Sequence, residues 1–216
     1  MRPISPTIHA EDIAKARTET LSDGVFAFVL TLLVLELRSP HLTEAGSRQE
    51  LAAALLALAP KFCSWAISFV TACVIWLNHH RLFKAIQRID HQFFWGNAFL
   101  LLWTSFLPFP TALIGDYPGN PLAVSFYGLV ALFMGLGFVY LRWHAERAGL
   151  ILDTIDPAAF RHGTRLTILM GPLAYLIGAS LAWVDVRLAI ACYTVVALYF
   201  VFPRPGTPMP EKSPVS

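Results

Sequence analysis

The sequence predicts an all-α integral membrane protein with six transmembrane helices, and three observations predict this class. Hydrophobic residues make up 56% of the 216-residue chain and charged residues only 14%, whereas a soluble domain carries about 25% charged residues. Six apolar segments lie between polar breaks, and each approaches the roughly 20 residues that a spanning helix needs. Basic residues concentrate in alternate connections, as expected for an even number of spans.

The six segments are bounded by charged residues or by proline and glycine. They run over Leu21–Leu37, Pro60–Leu77, Phe93–Ile114, Leu122–Leu141, Leu166–Val184 and Leu188–Phe202. Residues 1–18 form a charged stretch that lacks the apolar run of a signal peptide, and we interpret it as a cytoplasmic arm. The Ala-rich stretch Gln49–Ala59 is interpreted as an interfacial turn or as the outer end of the second span.

Prolines shape the third segment and the end of the chain. Pro108 and Pro110 remove two backbone donors, so the third segment should kink or end there. The prolines that follow Phe202 exclude regular structure, and we predict a disordered cytoplasmic tail over residues 204–216. A six-helix transmembrane domain therefore covers residues 19–203.

The distribution of basic residues predicts the orientation of the spans. Twelve of the 16 Lys and Arg residues lie in the N-terminal arm, the second and fourth connections and the tail, and four lie in the opposite connections. Cytoplasmic connections carry the excess of Lys and Arg. We therefore predict a multi-pass protein of the cell membrane, embedded in the lipid bilayer with both termini cytoplasmic.

The same composition excludes several classes of function. A net charge of +2 is too small for the phosphate-neutralising surface of a nucleic-acid-binding protein. Cys63, Cys73 and Cys192 lie inside apolar segments, and their odd number and wide spacing fit neither disulfides nor a metal site. The sequence has no Gly-rich phosphate loop, no Ser/His/Asp set and no carboxylate pair within the segments. We predict no enzyme, no cofactor and no metal.

Polar residues cluster where the first segment begins. An ionised Asp23 at the membrane entrance is costly unless it is paired. Arg17 lies six residues earlier, and the two side chains can lie on a similar face of the helix if the helix begins early. The alternative is a helix N-cap, in which Ser22 or Asp23 satisfies the first-turn amides. On residue type alone the N-cap is favoured.

Four residues after Asp23 form a stripe on the predicted first helix. Phe28, Thr31, Leu32 and Leu35 follow one another at offsets of three, four and seven from Phe28. Such a stripe is more often a packing face than a pore lining. Thr31 favours the pore, because its hydroxyl can face either a backbone carbonyl or water in a conduit.

A second polar group lies where the second segment ends. Asn78 and the adjacent His79 and His80 lie at about the depth of Asp23. One of the two histidines, together with Asn78, can complete a hydrogen-bond network that keeps an Arg17–Asp23 pair satisfied. The alternative is a set of interfacial residues that lipid headgroups solvate.

These motifs together resemble the signature of a known family. The run from Arg17 through Leu21–Ala27 to Thr31–Glu36 resembles the first-helix signature of the prokaryotic members of the transmembrane protein 175 family, the endolysosomal potassium channel and its bacterial and archaeal relatives. The agreement continues into Ser68-Phe69, Trp76–His80, Asn97 and Leu107–Thr111. It covers the first three segments in order and spacing, while the last three agree mainly in hydropathy.

The resemblance implies a homotetramer of six-helix subunits whose first helices line a central pore. The implied function is a potassium channel with passive conduction through a hydrophobic constriction, modest selectivity for potassium over sodium, and other monovalent cations or protons as further permeant ions. By resemblance, the pore-lining residues are Phe28, Thr31, Leu32 and Leu35. A structural polar network is implied for Arg17, Ser22, Asp23, Trp76, Asn78, His79 or His80, and Asn97.

The chain departs from the family pattern at two positions. Leu21 replaces the phenylalanine that usually precedes Ser-Asp, which removes one aromatic contact. Phe28 stands where the family generally has isoleucine or leucine, and a ring from each of four subunits would narrow the constriction.

Two other functions stay open at this level. One is a proton-coupled secondary transporter that relays protons through Asp23 and the histidines, although the acids lie at segment ends and no repeat with broken helices is evident. The other is a non-conducting scaffold subunit of a larger membrane complex. Conduction in a reconstituted membrane separates both from a channel.

Overall fold

The structure, a computed structural model, describes residues 10–43 and 47–201, and most of these residues are helical. The helices are α1 (Ala10–Leu35), α2 (Arg48–Ala57), α3 (Ala59–Ala85), α4 (His91–Phe106), α5 (Pro108–Asp116), α6 (Pro121–Arg147), α7 (Pro157–Ile168), α8 (Ala174–Leu181) and α9 (Val186–Val201). A π-helical turn, Leu169–Leu173, joins α7 to α8. Within the described residues the only strand-like pairing is one antiparallel bridge between Ile86 and Ile151. The predicted all-α class is confirmed.

Five helical runs are long and apolar enough, by length and composition, to cross a membrane. They are Asp12–Leu35, Ala59–Ala85, His91–Asp116, Pro121–Arg147 and Pro157–Leu181. The third run combines α4 with α5, and the fifth combines α7, the π-helical turn and α8. The chain is a multi-pass membrane protein. A sixth span through α9, which has 16 residues in the described part, stays a prediction.

α1 begins earlier than the sequence indicates. It starts at Ala10, so residues 10–18 of the predicted arm belong to the same helix as the first apolar segment. Asp23 therefore lies more than three turns inside α1, and the N-cap interpretation of Ser22 and Asp23 is wrong. Residues 1–9 and the predicted tail, residues 204–216, lie outside the described part of the chain.

The Ala-rich stretch before the second span forms a separate short helix. The Ser47 side chain caps α2 by accepting a hydrogen bond from the Glu50 amide at 3.2 Å, and no residue of α2 is buried. Leu58 separates α2 from α3, which has Pro60 in its first turn. The stretch is therefore neither a turn nor a continuous part of the second span.

The third apolar segment is interrupted where its prolines lie. Leu107 separates α4 from α5, and Pro108 begins α5 with Pro110 close behind. Because neither proline has a backbone N–H, the regular helix cannot continue unbroken through this point. The predicted interruption is confirmed, and both halves remain within one run of membrane length.

The core lies around α6, which packs against α4, α5, α7, α8 and α9. Two glycines allow α4 and α6 to approach closely. A Cβ atom on Gly96 would lie 2.5 Å from Cε1 of Tyr140, and one on Gly137 would lie 3.2 Å from Cα of Leu100. α1 packs on the side of this core, against α3 and α4.

Candidate functional site

α1 has one face buried against the rest of the subunit and one face exposed. Thr18, Ser22, Phe26, Val29 and Leu33 recur every three or four residues and are all buried, so they form one stripe of the helix. This stripe faces the helices that α1 contacts, chiefly α3 and α4. The subunit therefore fixes the rotation of α1 about its own axis.

The four residues predicted to line a pore lie on or beside the opposite face. Phe28 and Leu35 are 64% and 67% exposed, and Thr31 is exposed between them, while Leu32 is half-buried at the edge of this face. The Thr31 hydroxyl donates to the Phe28 carbonyl at 2.7 Å. Because its hydrogen is used within the helix, the Thr31 oxygen can offer only lone pairs to a partner outside.

A buried hydrogen-bond chain joins α1 to α4 and α3. The Asn97 amide nitrogen donates to the Ser22 hydroxyl at 2.9 Å, and Ser22 in turn donates to the Thr18 carbonyl at 2.8 Å. Oδ1 of Asn97 lies 2.8 Å from Nε2 of His79. Since Oδ1 can only accept, His79 carries its proton on Nε2 in this arrangement. Asn97 is thus the central link of the chain.

Aromatic rings enclose the His79 end of this chain. The imidazole stacks on Phe83 at a centroid distance of 4.4 Å and contacts Phe26 of α1 at 5.6 Å. Nδ1 of His79 is buried and has no hydrogen-bond partner. A single direct bond to Asn97 therefore holds this imidazole in an otherwise apolar pocket.

A second, more exposed branch holds another side of α1 to α3. The Trp76 indole donates to Oδ1 of Asp23 at 2.8 Å. The same ring stacks on His80 at a centroid distance of 5.8 Å, and Nδ1 of His80 lies 3.4 Å from a carboxylate oxygen of Glu19. Both histidines therefore contact the anchor of α1, but in separate branches. Glu19 is a member that the sequence did not identify.

Two residues predicted for the network lie outside it. Arg17 is exposed and forms no ion pair among the described residues, because six residues of helix turn its side chain about 120° away from Asp23. Asn78 is also outside, since one residue of helix turns it about 100° from His79. It instead lines a cavity with Tyr175 of α8. The Arg17–Asp23 pairing is therefore wrong for this subunit.

A further polar cluster in the membrane core was not predicted from the sequence. Thr111 of α5 donates to Ser68 of α3 at 2.7 Å, and Ser68 donates to the Tyr127 hydroxyl of α6 at 3.3 Å. Thr71 lies 3.4 Å from the Tyr175 hydroxyl of α8. Buried tyrosines generally require a hydrogen-bond partner for the hydroxyl. The tyrosines within the apolar segments were therefore the sequence feature that indicates this cluster. This cluster ties the remaining helices together, away from α1.

The fold and site define a class: a multi-pass α-helical membrane protein that anchors its first helix through buried polar groups and leaves an apolar stripe of that helix uncovered. Comparison with known proteins identifies the family. The family model described as "Endosomal/lysosomal potassium channel TMEM175" matches residues 17–108. A Streptomyces collinus protein named as a potassium channel is 32% identical over 199 residues, which cover 90% of this chain and 95% of the relative.

Two further similarities agree with this match. A Chamaesiphon minutus protein named as a potassium channel is 36% identical over 197 residues, 88% of this chain and 95% of the relative. The crystal structure of a lysosomal potassium-selective channel TMEM175 homolog from Chamaesiphon minutus matches with a TM-score of 0.77 and 34% identity, covering 87% of this chain and 96% of that one. The chain belongs to the TMEM175 family, and the resemblance found in the sequence is confirmed.

Proposed function

We propose that this protein is a potassium-permeable channel in which four copies of α1 surround a central pore. The uncovered stripe of α1, with Phe28, Thr31 and Leu35, is the observation that carries this proposal. Relatives named as potassium channels align with about nine-tenths of the chain, which supports the same function here.

An apolar stripe in a membrane protein can face lipid or equivalent helices, and two residues favour helices. Gly24 is exposed on the same side of α1 as Thr31, and no atom lies within 4 Å of a Cβ built on it. Small and hydroxyl-bearing residues let membrane helices approach closely. In a symmetric cluster of α1 helices, the small Gly24 and the hydroxyl-bearing Thr31 allow close packing, whereas a surface that faces lipid requires neither residue type.

The side chains on the stripe determine how ions pass. Rings of Phe28 and Leu35 side chains offer no ligands, so they form a hydrophobic constriction that excludes water when narrow. Between them, Thr31 presents one oxygen per subunit with its lone pairs outward. We therefore propose conduction by wetting of the constriction, with modest selectivity for potassium over sodium. Leu32, at the edge of the stripe, contributes to contacts between adjacent α1 helices as well as to the pore wall.

The buried chain through Asn97 and the Trp76–Asp23 bond act as structural anchors in this proposal. They bind one side of α1 and leave the stripe on the other side free. An unpaired polar group at membrane depth is costly, so these bonds favour one rotation of α1. The rotation in turn determines which residues face the pore.

Charged residues at the ends of the helices support the orientation with both termini cytoplasmic. Lys15 of α1 contacts the end of α3, and Arg161 of α7 pairs with Glu146 of α6. Most basic residues lie at this end of the helices, while Lys61, which pairs with Asp116, is one of few at the other end. The positive-inside rule then favours this end as cytoplasmic and the cell membrane as the location.

Reconstitution in liposomes tests the proposed function. Purified protein in vesicles with an outward potassium gradient should release potassium measured by a selective electrode, and replacement of potassium by sodium should reduce the flux moderately. Phe28→Ala should raise the flux several-fold, because it widens and wets the constriction. Vesicles that hold the gradient with both wild-type and Phe28→Ala protein would contradict a channel and favour a scaffold.

A further inference from the structure

A groove open to the outside of the subunit runs between α4 and α6. Its lining consists of His91, Gln92, Trp95, Gly96 and Phe99 of α4 and of Leu136, Gly137 and Tyr140 of α6. The two glycines are buried, whereas the other lining residues are exposed. The helix backbones at Gly96 and Gly137 therefore form the floor of the groove, and the larger side chains form its walls.

The groove is apolar at one end and polar at the other. Phe99 and Leu136 lie at the apolar end, and about one turn farther into the span Trp103 of α4 stacks on Phe133 of α6 at a centroid distance of 4.5 Å. His91, the first residue of α4, lies at the polar end. From His91 to Phe99 the helix rises about 12 Å. The groove therefore extends from the end of the span into its apolar interior.

A guanidinium group lies next to the polar end. Tyr140, Trp143 and Arg147 lie on one face of α6, because they are three and four residues apart. The ring centroids of Tyr140 and Trp143 lie 6.0 Å apart, and Cζ of Arg147 lies 5.4 Å from the centroid of the Trp143 ring. Tyr and Trp are enriched where membrane helices reach the membrane–water interface. Exposed aromatic rings thus connect the groove to a cation at the end of α6.

The polar end offers hydrogen-bond donors that the rest of the described chain does not use. Five donor-bearing side chains have neither a hydrogen-bond partner nor an ion-pair partner among the described residues: His91, Gln92, Trp95, Tyr140 and Arg147. No Asp or Glu lines the groove, and the nearby Asp90 carboxylate already bonds His144 and the Phe93 amide. A donor set with an unpaired arginine matches the oxygens of a phosphate group.

We propose that this groove binds one anionic phospholipid. The phosphate lies near Arg147, Tyr140 and His91, and one acyl chain lies along Phe99 and Leu136. The inference adds to the proposed channel function and uses its orientation, which places Arg147 in the cytoplasmic leaflet. Basic pockets between transmembrane helices on the cytoplasmic side bind anionic headgroups.

A second copy of the chain fits the same groove less well. Basic residues concentrate at this end of the subunit, so a neighbouring subunit would bring mainly positive charge to Arg147. A phosphate group instead supplies negative charge and several acceptor oxygens. The acyl chain that follows it is as apolar as the side chains at the other end of the groove.

Two variants remove different halves of the lipid site, and each has a matched control. Arg147→Gln removes the charge at the polar end. Its control is Arg187→Gln, because Arg187 is exposed at the start of α9, at the opposite end of the subunit. Leu136→Trp fills the apolar end. Its control is Leu129→Trp, because Leu129 is similarly exposed on α6 but lies two turns away and outside the groove.

Native mass spectrometry of the purified protein in micelles measures the binding. Phosphatidylglycerol and phosphatidylcholine with the same acyl chains are added separately, and the dissociation constant of the tightest bound lipid per subunit is determined. The wild type should bind phosphatidylglycerol about fivefold more tightly than phosphatidylcholine, as one basic group near a headgroup provides. Arg147→Gln should abolish this preference, and Leu136→Trp should weaken the binding of both lipids severalfold. Neither control should change either constant.

Equal lipid binding by each variant and its control would overturn the inference. It would also be overturned if Leu136→Trp left lipid binding unchanged but altered the number of subunits in the complex, because a second copy would then occupy the groove. If one variant does not fold by circular dichroism, the other still decides, since each removes a separate half of the site. Binding in micelles requires neither conduction nor a leaflet, so a wild type without potassium flux would contradict the proposed channel and leave this result unaffected.

Discussion

Asn97 is the residue whose replacement tests the anchor of α1 most sharply. Its two amide atoms bond Ser22 of α1 and His79 of α3, and all three residues are buried. Asn97→Leu keeps a similar volume and removes both bonds. Ser22 retains its bond to the Thr18 carbonyl, but the Nε2–H of His79 loses its acceptor.

The size of the effect can be worked out from these contacts. Hydrogen bonds between membrane helices contribute about 0.6 kcal/mol each on average, and a buried donor without a partner costs about 1–3 kcal/mol. Two lost bonds and one orphaned imidazole N–H at His79 therefore give a loss of roughly 2–4 kcal/mol. Because Nδ1 of His79 already lacks a partner, the variant leaves no direct hydrogen bond on this ring.

The assay is reversible unfolding of the purified protein in mixed micelles, followed by circular dichroism. Gln92→Leu is the control, because Gln92 lies exposed on the same helix and a surface substitution usually changes stability by less than about 0.5 kcal/mol. Equal stability of Asn97→Leu and Gln92→Leu would refute the reasoning, since the buried chain would then contribute nothing to the position of α1.

Two further substitutions probe other contacts. Trp76→Phe removes the indole donor of Asp23 at 2.8 Å and should cost about 1 kcal/mol in the same unfolding assay; full stability would mean that this bond is unimportant. Gly96→Ala places a Cβ 2.5 Å from the Tyr140 ring and should lower the unfolding free energy by about 1–3 kcal/mol, whereas Gly119→Ala, in the exposed turn before α6 and with no atom within 4 Å of its Cβ, should not. Equal losses in the two glycine variants would contradict the close packing of α4 on α6.

The membrane-spanning runs could be predicted because length and apolar composition alone decide whether a helix suits a bilayer. The start of α1 could not be predicted from hydropathy, since seven of the eleven residues from Ala10 to Thr20 are polar and this part of the helix lies before the apolar segment. Ala, Glu, Lys and Arg favour helix without contributing apolar surface. Hydropathy therefore located the span and missed the extension that places Asp23 inside the helix.

The members of the polar anchor could be predicted in part. The family resemblance implied Ser22, Asp23, Trp76 and Asn97 as members, and each of them forms a hydrogen bond in the anchor, as polar groups at membrane depth require. Which neighbour each one meets depends on how α3 and α4 are rotated against α1, and this follows from packing of the whole subunit. His79 and Asn78 are adjacent in the chain but point in different directions on α3. His79 bonds Asn97, whereas Asn78 lines a cavity on another side of the helix.

Cysteine accessibility along α1 tests most directly the claim that the uncovered stripe lines an ion pathway. Cys63, Cys73 and Cys192 are free thiols and are first replaced, and Thr31→Cys and Leu33→Cys are then compared in proteoliposomes. A cationic thiol reagent should block potassium flux at position 31, on the exposed face, and leave flux unchanged at position 33, which is completely buried. Flux that continues after verified labelling at position 31 would contradict a pore lined by α1.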